Sequence, residues 1–176
     1  SVADLIAYRQ RKEHLVERVD TFPIETFAGP ATGISYSTPW DPMQHLAIVF
    51  GDIRDGRGVP VRLQLESVVD DVFGRNGGLR SVMDRIAKGG RGVVVYLREG
   101  STGVARGPNM RPREKESEEH GSAQARQDEW REIGLGAQIL KDLGIGSIRL
   151  LASRERRYVG ISGFDIEIEA TEILDG

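Results

Sequence analysis

The sequence predicts a mixed α/β domain of the α+β class, because strand patterns come first and strand and helix patterns then alternate. Residues 46–50 form a continuous apolar run, as in a buried strand. Residues 61–66 alternate between apolar and polar side chains, which predicts a strand with one polar face. Residues 79–86 carry apolar side chains at the spacing of an amphipathic helix. A chain of 176 residues, 39% hydrophobic, has room for one core.

The elements of the N-terminal half follow from local composition. A helix is predicted over residues 1–20, with Ser1 as its N-cap and a charged run toward its end. Residues 22–40 are rich in Pro, Gly, Thr and Ser, which predicts short strands with tight turns. The helix at 79–86 ends at Gly89-Gly90, and residues 92–97, apolar on both faces, predict an interior strand.

The C-terminal half begins with a polar stretch, residues 106–128, in which Met110 is the one sizeable apolar side chain. We expect this stretch to be mobile, because it cannot bury enough apolar area to offset its ordering entropy. Apolar residues spaced four apart then predict a second helix that ends at Gly144, and residues 148–151 predict a strand. Residues 164–169 alternate apolar and acidic side chains, which predicts a last strand with one wet face.

Charge and composition exclude several classes of protein. The net charge is -3 and the basic residues are interleaved with acids, so nucleic-acid binding is not indicated. No apolar run approaches the roughly 18 residues of a membrane span, and the N-terminus does not resemble a signal peptide, so we predict a cytoplasmic protein. The chain has no cysteine, which excludes thiolate metal sites, and its histidines, which we expect at the surface, are too scattered for zinc. They are His14, His45 and His120.

Seven segments, in order over almost the whole chain, resemble the GTP cyclohydrolase II family. They are LVERV, AIVFGDI, VRLQLES, DDVFG, KGGRGVVVYLRE, IGLGAQILKDLGIGSIRLLAS and GFDIEI. The resemblance implies a single domain of that fold over residues 21–176, and by family a homodimer. Residues 1–20 resemble the connector that follows a 3,4-dihydroxy-2-butanone 4-phosphate synthase domain in bifunctional riboflavin proteins, which implies an upstream synthase domain.

Members of this family open the imidazole ring of GTP and release formate and pyrophosphate. Three cysteines, in a pattern like C-x-T-G-D-x-F-x-S-x-R-C-D-C-G, hold the zinc whose bound water attacks C8. In this chain Ser67 stands at the first cysteine position, and Val69-Asp70-Asp71 replaces T-G-D. Asp70 and Asp71 would point to opposite faces if this stretch were extended, so they offer no replacement pair. We therefore expect neither zinc nor another cofactor.

Other positions of the family's site are retained or conservatively changed. Arg131 stands where the family has the arginine proposed to attack the α-phosphorus, and Glu129 replaces the aspartate assigned as proton acceptor; these are the catalytic candidates. Arg62 and Glu66 match a nucleotide-contacting R-x-x-x-E, while Gln64 stands where the family has histidine. The same residues are also what a solvent-exposed strand face and an exposed helix start would carry if they had no function.

Two further stretches match phosphate-contacting parts of the family. Glu99, Gly100 and Ser101 begin a loop that is shorter than the family's and has lost its second arginine. Its backbone amides are candidates for cradling a phosphate, although a Gly turn is the commoner structure. Arg157 falls near the lysine of a T-N-N-P-x-K stretch.

Three functional hypotheses follow. The leading one is a cyclohydrolase II-like domain of riboflavin biosynthesis that is silent or impaired and is retained for structural, dimerising or regulatory purposes. The second is an active enzyme that releases formate, pyrophosphate or both from GTP. The third is a sensor that binds GTP or a related nucleotide without turnover.

Overall fold

The computed structural model describes residues 16–39, 41–73, 78–98, 133–153, 161 and 164–174. Its strands are β1 (Glu17–Thr26), β2 (Gly29–Thr38), β3 (Asp41–Phe50), β4 (Val59–Leu65), β5 (Gly92–Leu97), β6 (Ser147–Ala152) and β7 (Glu167–Ile173). Helix α1 spans Gly78–Lys88, and the described part of helix α2 spans 133–142. A short π-helical turn covers Val69–Phe73.

All seven strands belong to one sheet, in the order β1-β2-β3-β5-β4-β6-β7. The strands β1, β2 and β3 form an antiparallel meander, and β5 continues it antiparallel to β3. On its other side β5 runs parallel to β4, and β4, β6 and β7 are parallel to one another. The carboxyl ends of β4 and β5 therefore lie at the same edge of the sheet, where the residues that follow them are neighbours.

In the described part of the chain, each face of the sheet carries an apolar core to which one helix contributes. On one face α1 contributes Val82, Met83 and Ile86, which cluster with Val94 of β5 and Leu151 of β6. On the other face the apolar residues of α2, among them Ile139 and Leu140, join the inward side chains of β4 and β5. A seven-stranded mixed sheet with few helices confirms the predicted mixed α+β class.

Several predicted elements are confirmed. Strand β5 covers the predicted residues 92–97, and α1 contains the predicted residues 79–86. In β4, Val61 is fully buried while Arg62 and Gln64 lie on the opposite, polar face, as the alternation predicts. The second helix ends just before Gly144, whose φ of 76° is the left-handed conformation typical of a helix end.

Three boundaries were predicted wrongly. The described part of the predicted segment, residues 22–38, forms parts of two ten-residue strands and their turn rather than short strands, and Pro23 is tolerated because β1 is an edge strand of the described sheet. Strand β1 begins at Glu17, so the predicted helix over 1–20 is wrong for its last residues; residues 1–15 lie outside the described chain. The last strand begins at Glu167 rather than 164, because Asp165 has a φ of 61° and interrupts the extended backbone.

Among the described residues, no helix is long and apolar enough to cross a membrane. The predicted cytoplasmic location stays a prediction. The polar stretch 106–128 lies outside the described residues.

Candidate functional site

Polar side chains gather at the sheet edge where β4 and β5 end. The two strands are joined there by a hydrogen bond of 2.8 Å from the amide of Glu66 to the carbonyl of Leu97. Gln64 of β4 lies beside Tyr96 of β5 in the parallel register, so the two side chains share a face of the sheet. Arg62 occupies the same face one pleat earlier.

Hydrogen bonds to described residues of two strands position Arg62 along the sheet. Its Nε donates to Oε1 of Gln64 at 3.1 Å, and its Nη1 donates to the carbonyl of Leu151 at 3.3 Å. Arg62 as a whole is partly buried. Its guanidinium is therefore positioned by β4 and β6.

The carboxylate of Asp71 connects three parts of this edge. It accepts hydrogen bonds from Nε2 of Gln64 at 3.1 Å, from the amide of Ser67 at 2.9 Å and from the hydroxyl of Tyr96 at 2.6 Å. The segment is not extended: the π-helical turn brings this side chain back over the end of β4. Asp70 is exposed and accepts from the hydroxyl of Ser67 at 2.8 Å.

Tyr96 is the protonated partner in this network. Burial raises the pKa of its hydroxyl, and the hydrogen bond and negative charge of Asp71 raise it further, as does the charge of Glu66. Arg98 opposes these effects more weakly. Tyr96 therefore remains a donor to Asp71 at neutral pH.

Glu66 and Arg98 form an ion pair at the start of the chain segment that follows β5. Arg98 Nε lies 3.1 Å from Oε1 of Glu66, and the two side chains are 41% and 18% exposed. The amide of Arg98 donates to Nδ1 of His45 at 3.0 Å. Because Nδ1 accepts, the neutral ring carries its proton on Nε2.

His45 is buried, with 4% of its surface exposed, so the prediction that it lies at the surface is wrong. The alternation of residues along β3 was enough to predict that His45 is buried. His45, Ala47 and Val49 alternate along β3, and the last two belong to the core cluster of one face. A period of two therefore directs His45 inward, where its ring nitrogen meets a backbone amide.

A model of the GTP cyclohydrolase II family matches residues 17–173. The chain belongs to the GTP cyclohydrolase II family. The match runs from the first residue of β1 to the last residue of β7, so the whole described sheet is the family's fold.

Relatives in this family are longer proteins. The chain is 37% identical over 180 residues to the probable bifunctional riboflavin biosynthesis protein RIBA 1 of Oryza sativa, covering 96% of this chain and 33% of that protein. It is 35% identical over 178 residues to the riboflavin biosynthesis protein RibBA of Bacillus cereus, covering 96% and 45%. The chain thus spans between a third and half of the length of these relatives.

A solved structure shares the fold. RibBX of A. baumannii, described as a two-domain 3,4-dihydroxy-2-butanone 4-phosphate synthase, superposes with a TM-score of 0.62 at 28% identity. The superposition covers 99% of this chain and 44% of RibBX.

The side chains at the family's zinc position do not provide the donors that zinc requires. Zinc in proteins is held by cysteine sulfur, histidine nitrogen or carboxylate oxygen. This cyclohydrolase II domain has no cysteine, and its described residues contain no group of three or more His, Asp or Glu placed to hold a metal. Ser67 offers only a hydroxyl, already bonded to Asp70, while Asp71 already accepts three hydrogen bonds.

Of the predicted site residues, the structure describes Arg62 and Glu66, and it places both at the same edge of the sheet. The remaining ones lie outside the described residues, so their roles stay predictions. They are Glu99, Gly100, Ser101, Glu129, Arg131 and Arg157. Sequence reasoning did not single out Tyr96, Arg98 and His45, which the structure adds to this site.

Proposed function

We propose that this domain of a riboflavin-biosynthesis protein holds no zinc and does not open the ring of GTP. The observation that carries the proposal is the structure around Ser67. A serine stands at the first cysteine position, and the carboxylates nearest to it are engaged by protein donors. Ring opening needs a hydroxide-like nucleophile at neutral pH, which zinc supplies by lowering the pKa of its bound water to about 7.

The side chains present are poor substitutes for a metal-bound hydroxide. Within the described site Glu66 is a candidate general base, but its carboxylate is already engaged by Arg98 at 3.1 Å. A general base contributes about 10²–10⁴-fold, whereas enzymes accelerate reactions by about 10⁶-fold or more. A base acting alone therefore leaves most of the barrier in place.

The test is to incubate the purified protein with GTP, with and without added zinc, and to measure formate, pyrophosphate and bound metal. We expect no stoichiometric zinc and no formate above background. A cysteine-bearing member of the family, treated in the same way, is the positive control. Formate release near or above about one turnover per second, abolished by Arg131→Ala, would show that the second hypothesis, an active enzyme, is correct.

The proposed role of the domain is structural or regulatory, beside a synthase domain in a longer protein. RibBX supports this, because a protein that shares this fold over 44% of its chain is described as a two-domain 3,4-dihydroxy-2-butanone 4-phosphate synthase. We also propose a homodimer. Sedimentation of the chain should show a dimer at micromolar concentration, and a monomer throughout would count against it. Removing the domain from the longer protein should lower the stability of the synthase part.

A second candidate function is nucleotide binding without turnover. It is favoured by Arg62 and Arg98, which lie at one sheet edge and are positioned there by Gln64 and Glu66, with the side chain of Arg98 41% exposed. Arginine binds phosphate oxygens through paired N–H donors. Titration with GTP would then give saturable binding that Arg62→Gln weakens, while Arg54→Gln, in an exposed loop, leaves it unchanged.

A further inference from the structure

A second cluster of arginines lines a pocket of about 170 Å³ on the α1 face of the sheet. Arg85 comes from α1, Arg91 directly precedes β5, and Arg149 lies on β6. Among the described residues that line the pocket, Glu172 of β7 is the one acid. Three guanidinium groups and one carboxylate thus belong to the lining itself.

Two of these guanidinium groups are fixed in place. Arg85 donates from Nε and Nη2 to the two carboxylate oxygens of Glu172, at 3.2 Å each. Arg91 donates to Asp55 at 2.6 Å and to the carbonyl of Arg57 at 2.7 Å. A guanidinium has five N–H groups, so both arginines retain further donors. The positions of these donors are set before any ligand arrives, which lowers the entropic cost of binding.

Arg149 has no such partner. It is exposed on β6, and its neighbours across the sheet, Pro60 and Ala170, carry no charge. No other described residue forms an ion pair or a hydrogen bond with its guanidinium. Arg85 and Arg91 are each paired with a carboxylate, so Arg149 supplies the excess positive charge that attracts an anion, while the other two offer N–H donors beside it.

The size of the pocket suits a small anion. Its volume is about 170 Å³, and phosphate has only five non-hydrogen atoms. Guanidinium groups bind phosphate oxygens through paired N–H donors, and three guanidinium groups line this space. We propose that this pocket binds a phosphate group, either free phosphate or the end of a phosphomonoester.

This pocket is separate from the site at the carboxyl ends of β4 and β5. It lies near their amino ends, beside Pro60 and Arg91. Glu66 lies six residues beyond Pro60, which is about 20 Å at about 3.3 Å per residue, whereas Arg62 is nearer and donates to the carbonyl of Leu151, which also lines the pocket. Arg62 itself does not line the pocket, so Arg149→Gln tests phosphate binding here and Arg62→Gln tests the nucleotide site, and either proposal can fail alone.

The test is calorimetric titration of the protein with sodium phosphate, with sodium chloride at matched ionic strength as the reference. We expect saturable binding with a Kd near or below about 1 mM. Arg149→Gln should weaken it about tenfold or more, because an ionic hydrogen bond is lost, and Arg149→Lys should retain part of it. Arg80→Gln is the matched control: it removes the same charge from α1, where Arg80 lies over Phe27 outside the pocket.

A parallel titration with phenyl phosphate distinguishes the two sources of the phosphate group. Binding of both ligands would identify a phosphomonoester site, and binding of inorganic phosphate alone would identify a site for the free ion. The proposal is wrong if the wild-type protein shows no saturation up to about 10 mM phosphate, or if Arg149→Gln binds as tightly as wild type. Circular dichroism of each variant verifies that it is folded.

Discussion

At the scale of single residues, one carboxylate beyond the end of β4 connects several segments through hydrogen bonds. Asp71 accepts hydrogen bonds from the side chains of Gln64 and Tyr96 and from the amide of Ser67. These donors belong to β4, to β5 and to the connection between β4 and the π-helical turn. The region that the family organises around zinc is thus held here by hydrogen bonds between protein groups.

Asp71→Ala should lower the free energy of unfolding by about 2–4 kcal/mol, because three donors lose an ionised acceptor. Urea denaturation of the wild type and the variant measures this difference in the free energy of unfolding. Asp70→Ala is the matched control, since Asp70 is exposed and accepts from the Ser67 hydroxyl, and its loss should be much smaller. Equal losses in the two variants would show that Asp71 has no special role.

The sequence predicts part of this site and misses the rest for a physical reason. Strict alternation along β4 is enough to place Arg62 and Gln64 on the polar face, since strand geometry fixes it. The role of Asp71 depends on a π-helical turn, which propensities do not predict, and on Tyr96, which comes from another strand. Contacts between elements distant in sequence are fixed by the register of the folded sheet.

At the scale of elements, the loop between β3 and β4 is tied to the turn that follows α2. The carbonyl of Gly56 accepts hydrogen bonds from the amides of Gly146 at 2.8 Å and Ser147 at 3.1 Å. Gly56 has a φ of 63°, and an added Cβ there would collide with the carbonyl oxygen of Gly144. Only glycine allows the two segments to approach so closely.

Gly56→Ala should therefore cost more stability than Gly144→Ala. Both positions have positive φ, which costs an alanine about 1–2 kcal/mol, but only Gly56 adds a collision with backbone, because Gly144 has open space around its Cα. We expect a loss of at least about 3 kcal/mol for Gly56→Ala, measured by chemical denaturation. Indistinguishable losses would contradict the close approach.

The elements that sequence reasoning located best are those with one dominant period. Strand β5 is apolar throughout, and α1 carries a clear apolar stripe, so both were predicted at their observed positions. The lengths of β1 and β2 were missed, because small and polar side chains suit an exposed ribbon as well as a loop. The start of β7 was missed because it depends on the left-handed backbone of Asp165.

At the scale of the whole molecule, each half of the sheet has one tyrosine that donates a hydrogen bond to an aspartate outside the sheet. Tyr36 of β2, fully buried, donates to Asp142 at 2.7 Å, and Asp142 also pairs with Arg18 of β1. This joins the antiparallel meander to the end of α2. In the parallel half, Tyr96 of β5 donates to Asp71, which joins β5 to the π-helical turn. In both tyrosines burial raises the pKa of the hydroxyl, and the neighbouring aspartate raises it further.

The stability of the domain should fall as pH rises above about 10. In that range the unfolded chain loses its tyrosine protons at the ordinary pKa of about 10, whereas Tyr36 and Tyr96 keep theirs when folded. The folded state then binds more protons, so the free energy of unfolding decreases with pH, and this contribution is fully present below about pH 10. Denaturation at several alkaline pH values measures the slope, and the double variant Tyr36→Phe, Tyr96→Phe should flatten it. An unchanged slope in that variant would contradict the assignment.

The mixed sheet also has a consequence for the order in which the chain assembles. Strands β1, β2 and β3 pair with their immediate neighbours in sequence, so their contacts close short loops and form early. The second edge of β4 pairs with β6, and β6 is synthesised only after α1, β5 and α2. At about 5–20 residues per second, a ribosome leaves that edge open for several seconds. During this interval the nascent chain presents an unpaired edge of β4, and an open strand edge is a template for pairing with another chain.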